Sequence, residues 1–97
     1  MTKSERFKVN ARLMQKFNCI KNNGKVIVSI TEFGTWSMFS CVADSNTNIV
    51  IRITLDERKA SASIDLFNGN TTDIEAMDDD TIEKYTSMFD SILETVN

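Results

Sequence analysis

Residues 49–55, Ile-Val-Ile-Arg-Ile-Thr-Leu, decide the fold of this chain. The four residues at odd positions are all apolar, and an alternation of this kind has the two-residue period of a strand buried on one face. Three of those four residues are β-branched, and β-branched side chains are favoured in strands. The stretch therefore predicts a β-strand that is buried on one face.

Three further runs show strand patterns, at residues 26–30, 36–43 and 60–66. Short polar or glycine-containing segments, at 32–34, 45–48 and 56–59, separate the four runs. Connections this short force neighbouring strands to run antiparallel. We therefore predict a four-stranded antiparallel meander.

A helix is predicted at each end of the chain. Thr2 and Glu5 have capping-box spacing, and an apolar stripe follows at helical spacing from about residue 3 to about residue 20: Phe7, Ala11, Met14 and Phe17. Residues 22–24, Asn-Asn-Gly, suit a helix C-cap, or alternatively a hairpin turn after a short strand at 19–21. A second capping box, Asp80 to Glu83, precedes an apolar seam formed by Ile82, Tyr85, Phe89, Ile92 and Val96. Residues 71–79 are interpreted as a polar connection.

These elements predict a single α+β domain, residues 1–97, in which both helices pack on one face of the sheet. The second strand is the exception to the pattern, because both of its faces are apolar. Trp36, Met38 and Val42 lie on one face of this strand, and Phe39 and Cys41 lie on the other. Either face can be the buried one, and the face left open would suit binding. Alternatively, a twist or bulge at one end of the strand buries both aromatic residues, and this is the favoured interpretation.

Composition limits the class of protein. The chain has no histidine and no proline, and it has two cysteines, too few for a disulfide framework. No apolar run approaches the roughly 20 residues that span a bilayer, and the N-terminal residues lack the apolar centre of a signal peptide. We therefore expect a cytoplasmic protein.

Charge is distributed unevenly along the chain. Residues 1–25 carry seven Lys/Arg and one Glu, a net +6, whereas residues 60–97 carry nine Asp/Glu and one Lys, a net −8. The two regions either pack together and neutralise each other, or lie apart as two patches that attract partners of opposite sign. Mutual neutralisation is the favoured interpretation, because terminal elements often pack together in small domains.

The leading functional hypothesis is a non-catalytic protein-interaction module, a small acidic inhibitor or modulator that binds a basic surface of another protein. Its contact residues would be the carboxylates that precede and begin the last helix: Asp73, Glu75, Asp78, Asp79, Asp80 and Glu83. In size, charge and element order the chain is similar to the small inhibitors that phages carry against host systems, a likeness that covers no specific motif.

The alternative hypothesis is a nucleic-acid-binding module that uses the basic N-terminal helix and the open sheet face. Its contact residues would be basic side chains and one aromatic ring: Arg6, Lys8, Arg12, Lys16, Phe39 and Arg52. We expect no enzymatic activity, cofactor or metal, because histidine-based catalysis is excluded and the cysteines lack zinc spacing. The protein is expected to be a monomer or a homodimer.

Overall fold

The computed structural model describes residues 1–20, 26–43, 49–59, 62–66, 71–74 and 77–96. Helix α1 (Lys3–Asn18) comes first, and helix α2 (Asp79–Val96) comes last. Between them lie five strands: β1 (Ile27–Glu32), β2 (Trp36–Val42), β3 (Val50–Asp56), β4 (Ala62–Leu66) and β5 (Thr71–Ile74). The predicted α+β class, and the order of helix, antiparallel meander and helix, are confirmed.

The strands form one antiparallel sheet in the order β1-β2-β3-β4-β5. Phe39 lies opposite Ile30 on one side and Ile53 on the other, and Ile53 lies opposite Ile64. The strand predicted at residues 49–55 is confirmed as β3, which is the middle strand of the sheet. The predicted turn at 45–48 and the predicted helix end at 22–24 lie outside the described residues.

The sheet has one more strand than the sequence predicts. Residues 71–74 pair with β4, with Thr71 opposite Asp65 and Ile74 opposite Ala62. This segment was interpreted as part of a polar connection because only one of its four residues is apolar. Threonine is nevertheless a favoured strand residue, and an edge strand needs only a small buried surface.

The buried face of the sheet is the one that carries Phe39 and Cys41. The side chains of these two residues, and of Ile51, Ile53 and Leu55, are fully buried. Trp36, Met38 and Val42 lie on the opposite, open face and are partly exposed. The helices therefore cover the Phe39 face, and the two aromatic residues are not both buried, contrary to the favoured interpretation of this strand.

Helix α1 buries a different stripe from the predicted one. Thr2 caps the helix as predicted, but the buried residues are Arg6, Asn10, Leu13 and Phe17, and Phe7 is 47% exposed. The N-terminal half of α1 lies over the end of the sheet that bears Glu32, Ser37 and Glu57, so polar side chains face that end.

Aromatic rings join the two helices to the sheet at the centre of the core. Phe17 of α1 lies 5.1 Å from Phe39 of β2 and 5.8 Å from Phe89 of α2, measured between ring centroids. Ile82, Tyr85 and Leu93 of α2 belong to the same buried cluster. Neither described helix is both long and apolar enough to cross a membrane.

Candidate functional site

The acidic residues of the leading hypothesis lie in two described segments. Asp73 is exposed on β5, and Asp78, Asp79 and Asp80 are exposed where α2 begins. Glu83 is exposed one turn further along the helix, and Glu75 lies outside the described residues. The structure therefore brings four of the six carboxylates together at the first turns of α2.

Asp78, rather than the predicted Asp80, caps helix α2. Its Oδ1 atom accepts a hydrogen bond of 2.9 Å from the backbone N–H of Thr81, the third residue of the helix. Hydrogen bonds from the side chain and the backbone of Thr81 lower the pKa of Asp78 below its ordinary value. Asp78 therefore remains ionised near neutral pH and places a fixed negative charge at the positive end of the helix dipole.

Two ion pairs join the acidic start of α2 to the basic helix α1. Arg12 pairs with Asp79, and the Nζ atom of Lys16 lies 3.0 Å from a carboxylate oxygen of Glu83. Part of the basic region and part of the acidic region therefore lie side by side, as the favoured interpretation of the charge pattern predicts. All four side chains are 48–66% exposed, so each pair stabilises the fold by only about 0–1 kcal/mol.

The outward-facing side chains of α2 remain predominantly acidic. Asp80, Glu83 and Glu94 are exposed together with one cation, Lys84. Ser87 and Ser91 separate them along the helix and are exposed as well. The acidic helix face is defined by Asp78, Asp79, Asp80 and Glu83, whose side chains are exposed at the first turns of α2.

Two residues of the nucleic-acid alternative are not available at the surface. Phe39 is fully buried between the sheet and the helices, so it cannot stack on a base. The side chain of Arg6 is 1% exposed and binds two carboxylates, so it cannot reach a phosphate. Both assignments were wrong because a sequence pattern alone did not show which faces the helix and the strand bury.

The other four residues of that alternative are exposed but scattered. Arg12 and Lys16 lie beside carboxylates of α2, which repel phosphate. Lys8 is exposed on α1, and Arg52 is exposed on the open sheet face, opposite the face against which α1 packs. These four cations do not form one continuous positive surface, so the geometry gives the alternative little support.

Arg6 organises the end of the molecule that carries the β1–β2 turn. Its Nε atom donates to Glu57 at 2.9 Å, one terminal nitrogen donates to Glu32 at 2.5 Å, and the other donates to the carbonyl oxygen of Gly34 at 3.2 Å. The hydrogen bond that Arg6 donates to Glu32 is the main cause of the raised pKa of Arg6, and burial partly opposes this increase. A positively charged guanidinium therefore ties α1 to two separate loops.

An exposed aromatic pair at the same end of the sheet was missed by the sequence reasoning. Phe33 and Trp36 stack with their ring centroids 4.0 Å apart and their planes 11° from parallel. Phe33 is 43% exposed, and Trp36 is partly exposed on the open face. Phe33 flanks the two-residue turn in which Gly34 adopts a φ of +77°, and this Phe-Gly spacing is the only sequence signal for the pair.

The thiols offer little chemistry in this structure. Cys41 is fully buried, and burial raises the pKa of its thiol to about 12. Cys19 is exposed at the end of α1, beside a shallow groove that Lys16 and Asp90 also line. Among the described residues, no cluster of three or more Cys, Asp or Glu side chains is placed to hold a metal ion.

Comparison of the chain with protein-family models, curated proteins and solved structures finds no match. The fold and the surface thus define a small α+β domain with an acidic helix face. Because one fold can serve many functions, the function has to be argued from the surface residues.

Proposed function

We propose that the protein is a non-catalytic interaction module that binds a basic surface of a partner protein through its acidic helix face. Asp78 and Asp80, which are exposed at the N-terminal end of α2, carry this proposal. Asp78 is held ionised by Thr81, so this end of the helix presents charge at any pH near neutrality. A fixed cluster of like charges attracts partners of opposite charge and raises their association rate.

The ion pairs within the molecule show how the acidic helix face accommodates cations. Asp79 and Glu83 are four residues apart on α2, and they pair with Arg12 and Lys16, which are four residues apart on α1. Because these exposed pairs are weak, the cations of a partner can replace those of α1 at small cost. A partner helix with Arg or Lys side chains four residues apart would match this spacing.

Affinity also requires apolar contact, because exposed ion pairs alone contribute little. Interfaces usually depend on a few aromatic or arginine side chains that become desolvated on binding. The Phe33–Trp36 pair is the one exposed aromatic stack among the described residues, and it defines a competing contact surface at the other end of α1. Substitutions in the acidic helix face and in the Phe33–Trp36 pair show which of the two surfaces the partner contacts.

The test is affinity capture followed by binding to each purified partner at two salt concentrations. Asp78→Asn/Asp80→Asn should weaken binding about three- to tenfold at low salt, since exposed charges contribute about 0.2–1 kcal/mol each. Glu94→Gln removes one carboxylate from the opposite end of α2 and serves as the control.

Three results would contradict the proposal. One is a partner that binds the double variant and wild type equally well. Another is a partner whose binding is lost only with Trp36→Ala, which would assign the contact to the aromatic pair. The third is salt-sensitive binding to labelled DNA or RNA that Arg12→Gln/Lys16→Gln abolishes, which would favour the nucleic-acid alternative.

A further inference from the structure

The two edges of the sheet differ in how well they are protected against pairing with another strand. β5 is four residues long and carries the exposed Asp73 within it. β1 is six residues long, and its one charged residue, Glu32, lies at its end and is bound by Arg6. Short length and charged side chains within the strand are among the means by which proteins block sheet edges. β1 is longer than β5 and has no charged residue before its last position, so it is the less protected edge.

The hydrogen-bonding groups at the outer edge of β1 can be assigned from the turn. The N–H of Phe33 donates to the carbonyl of Trp36 at 2.8 Å, so these two residues form a hydrogen-bonded pair. Hydrogen-bonded pairs alternate along an antiparallel ladder, so Ser29 and Thr31 point their N–H and C=O groups toward β2. The corresponding groups of the intervening residues, Val28, Ile30 and Glu32, point outward, and none of the described strands lies on that side.

Helix α1 leaves apolar side chains above the same edge. Arg12 and Lys16 pair with α2, and the rotation of 100° per residue in a helix places Phe7 and Met14 on the opposite side of α1. Because α1 packs over β1 and β2, this side lies above the outer edge of the sheet. Phe7 is 47% exposed, and Met14 is partly exposed. Apolar side chains of α1 therefore remain partly exposed above the outer edge of β1.

We propose that two copies of the chain associate through β1, so that their sheets join into one antiparallel sheet. A twofold axis at Ser29 places Val28 of one copy opposite Ile30 of the other, and Ile27 opposite Thr31. Ile27, which is 68% exposed in the single chain, then gains a cross-strand neighbour. Glu32 falls opposite Val26, so no like charges face each other.

This arrangement is compatible with the positions of the helices as well as with the pairing of the strands. Paired residues in this register have the same orientation in both sheets, so all four helices lie on one face. The two α1 helices become neighbours across the axis, and their Phe7 and Met14 side chains are covered. A second copy supplies the same edge and the same apolar stripe, which is the self-complementarity that a twofold dimer requires. The contact uses none of the acidic residues proposed to bind a partner.

Sedimentation equilibrium gives the first test. The single chain has a mass of 11.0 kDa, and the expected result is a rise toward twice that mass between about 1 and about 500 µM, because dimerisation follows mass action. Amide hydrogen exchange at both ends of this range locates the contact. The amides of Val28, Ile30 and Glu32 should exchange at least about tenfold more slowly at high concentration. Those of Ser29 and Thr31 are already paired with β2 and should change little.

Charge substitution provides the matched variants. Ser29→Lys places two ammonium groups against each other at the axis and should keep the protein at the mass of one chain. Thr71→Lys introduces the same charge at the exposed edge β5 and should dimerise like wild type. Circular dichroism verifies that both variants fold.

Any of four results overturns the proposal. They are a single-chain mass at every concentration, a dimer whose outward β1 amides stay unprotected, a dimer that persists in folded Ser29→Lys, and a dimer lost in Thr71→Lys instead.

Discussion

Arg6 is a buried cation at the contact between helix α1 and the sheet, and its side chain is only 1% exposed. An arginine on an amphipathic helix is usually solvated, and Arg6 was predicted to belong to the basic surface. Its carboxylate partners, Glu32 and Glu57, lie 26 and 51 residues further along the chain. No local pattern can report contacts at that separation. The burial of Arg6 follows from the tertiary structure alone.

We predict that Arg6→Met destabilises the fold by about 2–4 kcal/mol, because charge-assisted hydrogen bonds are lost and two carboxylates lose their cation. Urea denaturation measures the change in the free energy of unfolding. Lys8→Met removes an exposed cation from the same helix and should change that free energy by no more than about 0.5 kcal/mol. Equal effects of the two substitutions would show that the buried ion pairs do not hold α1 in place.

The two cysteines should differ in reactivity. Burial raises the pKa of Cys41 to about 12, so almost none of it is thiolate near neutral pH, whereas Cys19 is exposed. We expect one thiol to react quickly with a disulfide reagent in the native protein and the second only after unfolding. In Cys19→Ser the fast reaction should disappear. Two thiols that react at the same rate in the native protein would contradict the burial of Cys41.

At the scale of elements, helix α1 was predicted in the right place, but only part of its buried face was predicted correctly. Of the predicted stripe formed by Phe7, Ala11, Met14 and Phe17, only Phe17 is fully buried, and Leu13 is the other apolar residue that α1 buries completely. Hydrophobic periodicity assumes that a buried face is apolar along its whole length. Here the first half of that face is polar, since it meets polar groups at the end of the sheet.

The burial of Phe17 and the exposure of Phe7 predict that substitutions at these two positions differ in their effect on stability. Phe17→Ala should reduce the free energy of unfolding by about 3–5 kcal/mol, because Phe17 packs against Phe39 and Phe89 and its removal leaves a cavity. Phe7→Ala, measured at low protein concentration, should change it by no more than about 0.5 kcal/mol. Thermal unfolding followed by circular dichroism compares the two. A larger effect of Phe7→Ala than of Phe17→Ala would contradict the burial of Phe17 and the exposure of Phe7.

The strands were more predictable than the helix faces. β1 to β4 follow from alternation and from turn residues, because the two-residue period of a strand leaves only two possible faces. β5 was missed, since a threonine-rich edge strand has little apolar pattern. The choice between the two apolar faces of β2 required the position of α1. Sequence thus predicts elements well where the pattern is strong, and it predicts their orientation poorly where both faces are alike.

At the scale of the whole molecule, the uneven charge of the chain is partly compensated by the fold. Arg12 and Lys16 lie beside Asp79 and Glu83, so part of the basic segment and part of the acidic segment form one surface. The charge pattern favoured this juxtaposition but could not decide it, and it could not predict which carboxylates stay accessible. That depends on the rotation of α2 about its axis, which is fixed by its buried seam.

Two carboxylates, those of Asp56 and Asp78, predict how the stability of the fold depends on pH. Hydrogen bonds from Arg58 to Asp56, and from Thr81 to Asp78, lower the pKa of each carboxyl below its ordinary value of 3.8. A lowered pKa in the folded state means that the stabilisation is present above 3.8 and is lost as the pH falls through the folded-state pKa. The free energy of unfolding should therefore decrease as the pH falls below about 4.

Asp78→Asn isolates one of these contributions. We expect this variant to be less stable than wild type near neutral pH, and the difference to shrink as the pH falls below 3.8 and through the lowered pKa of Asp78. Urea denaturation at several pH values measures the difference. Ser91→Asn changes an exposed, non-titrating residue of the same helix and should differ from wild type by the same amount at every pH. A difference between Asp78→Asn and wild type that grows in acid would mean that the Asp78 carboxylate does not stabilise α2 as an ionised cap.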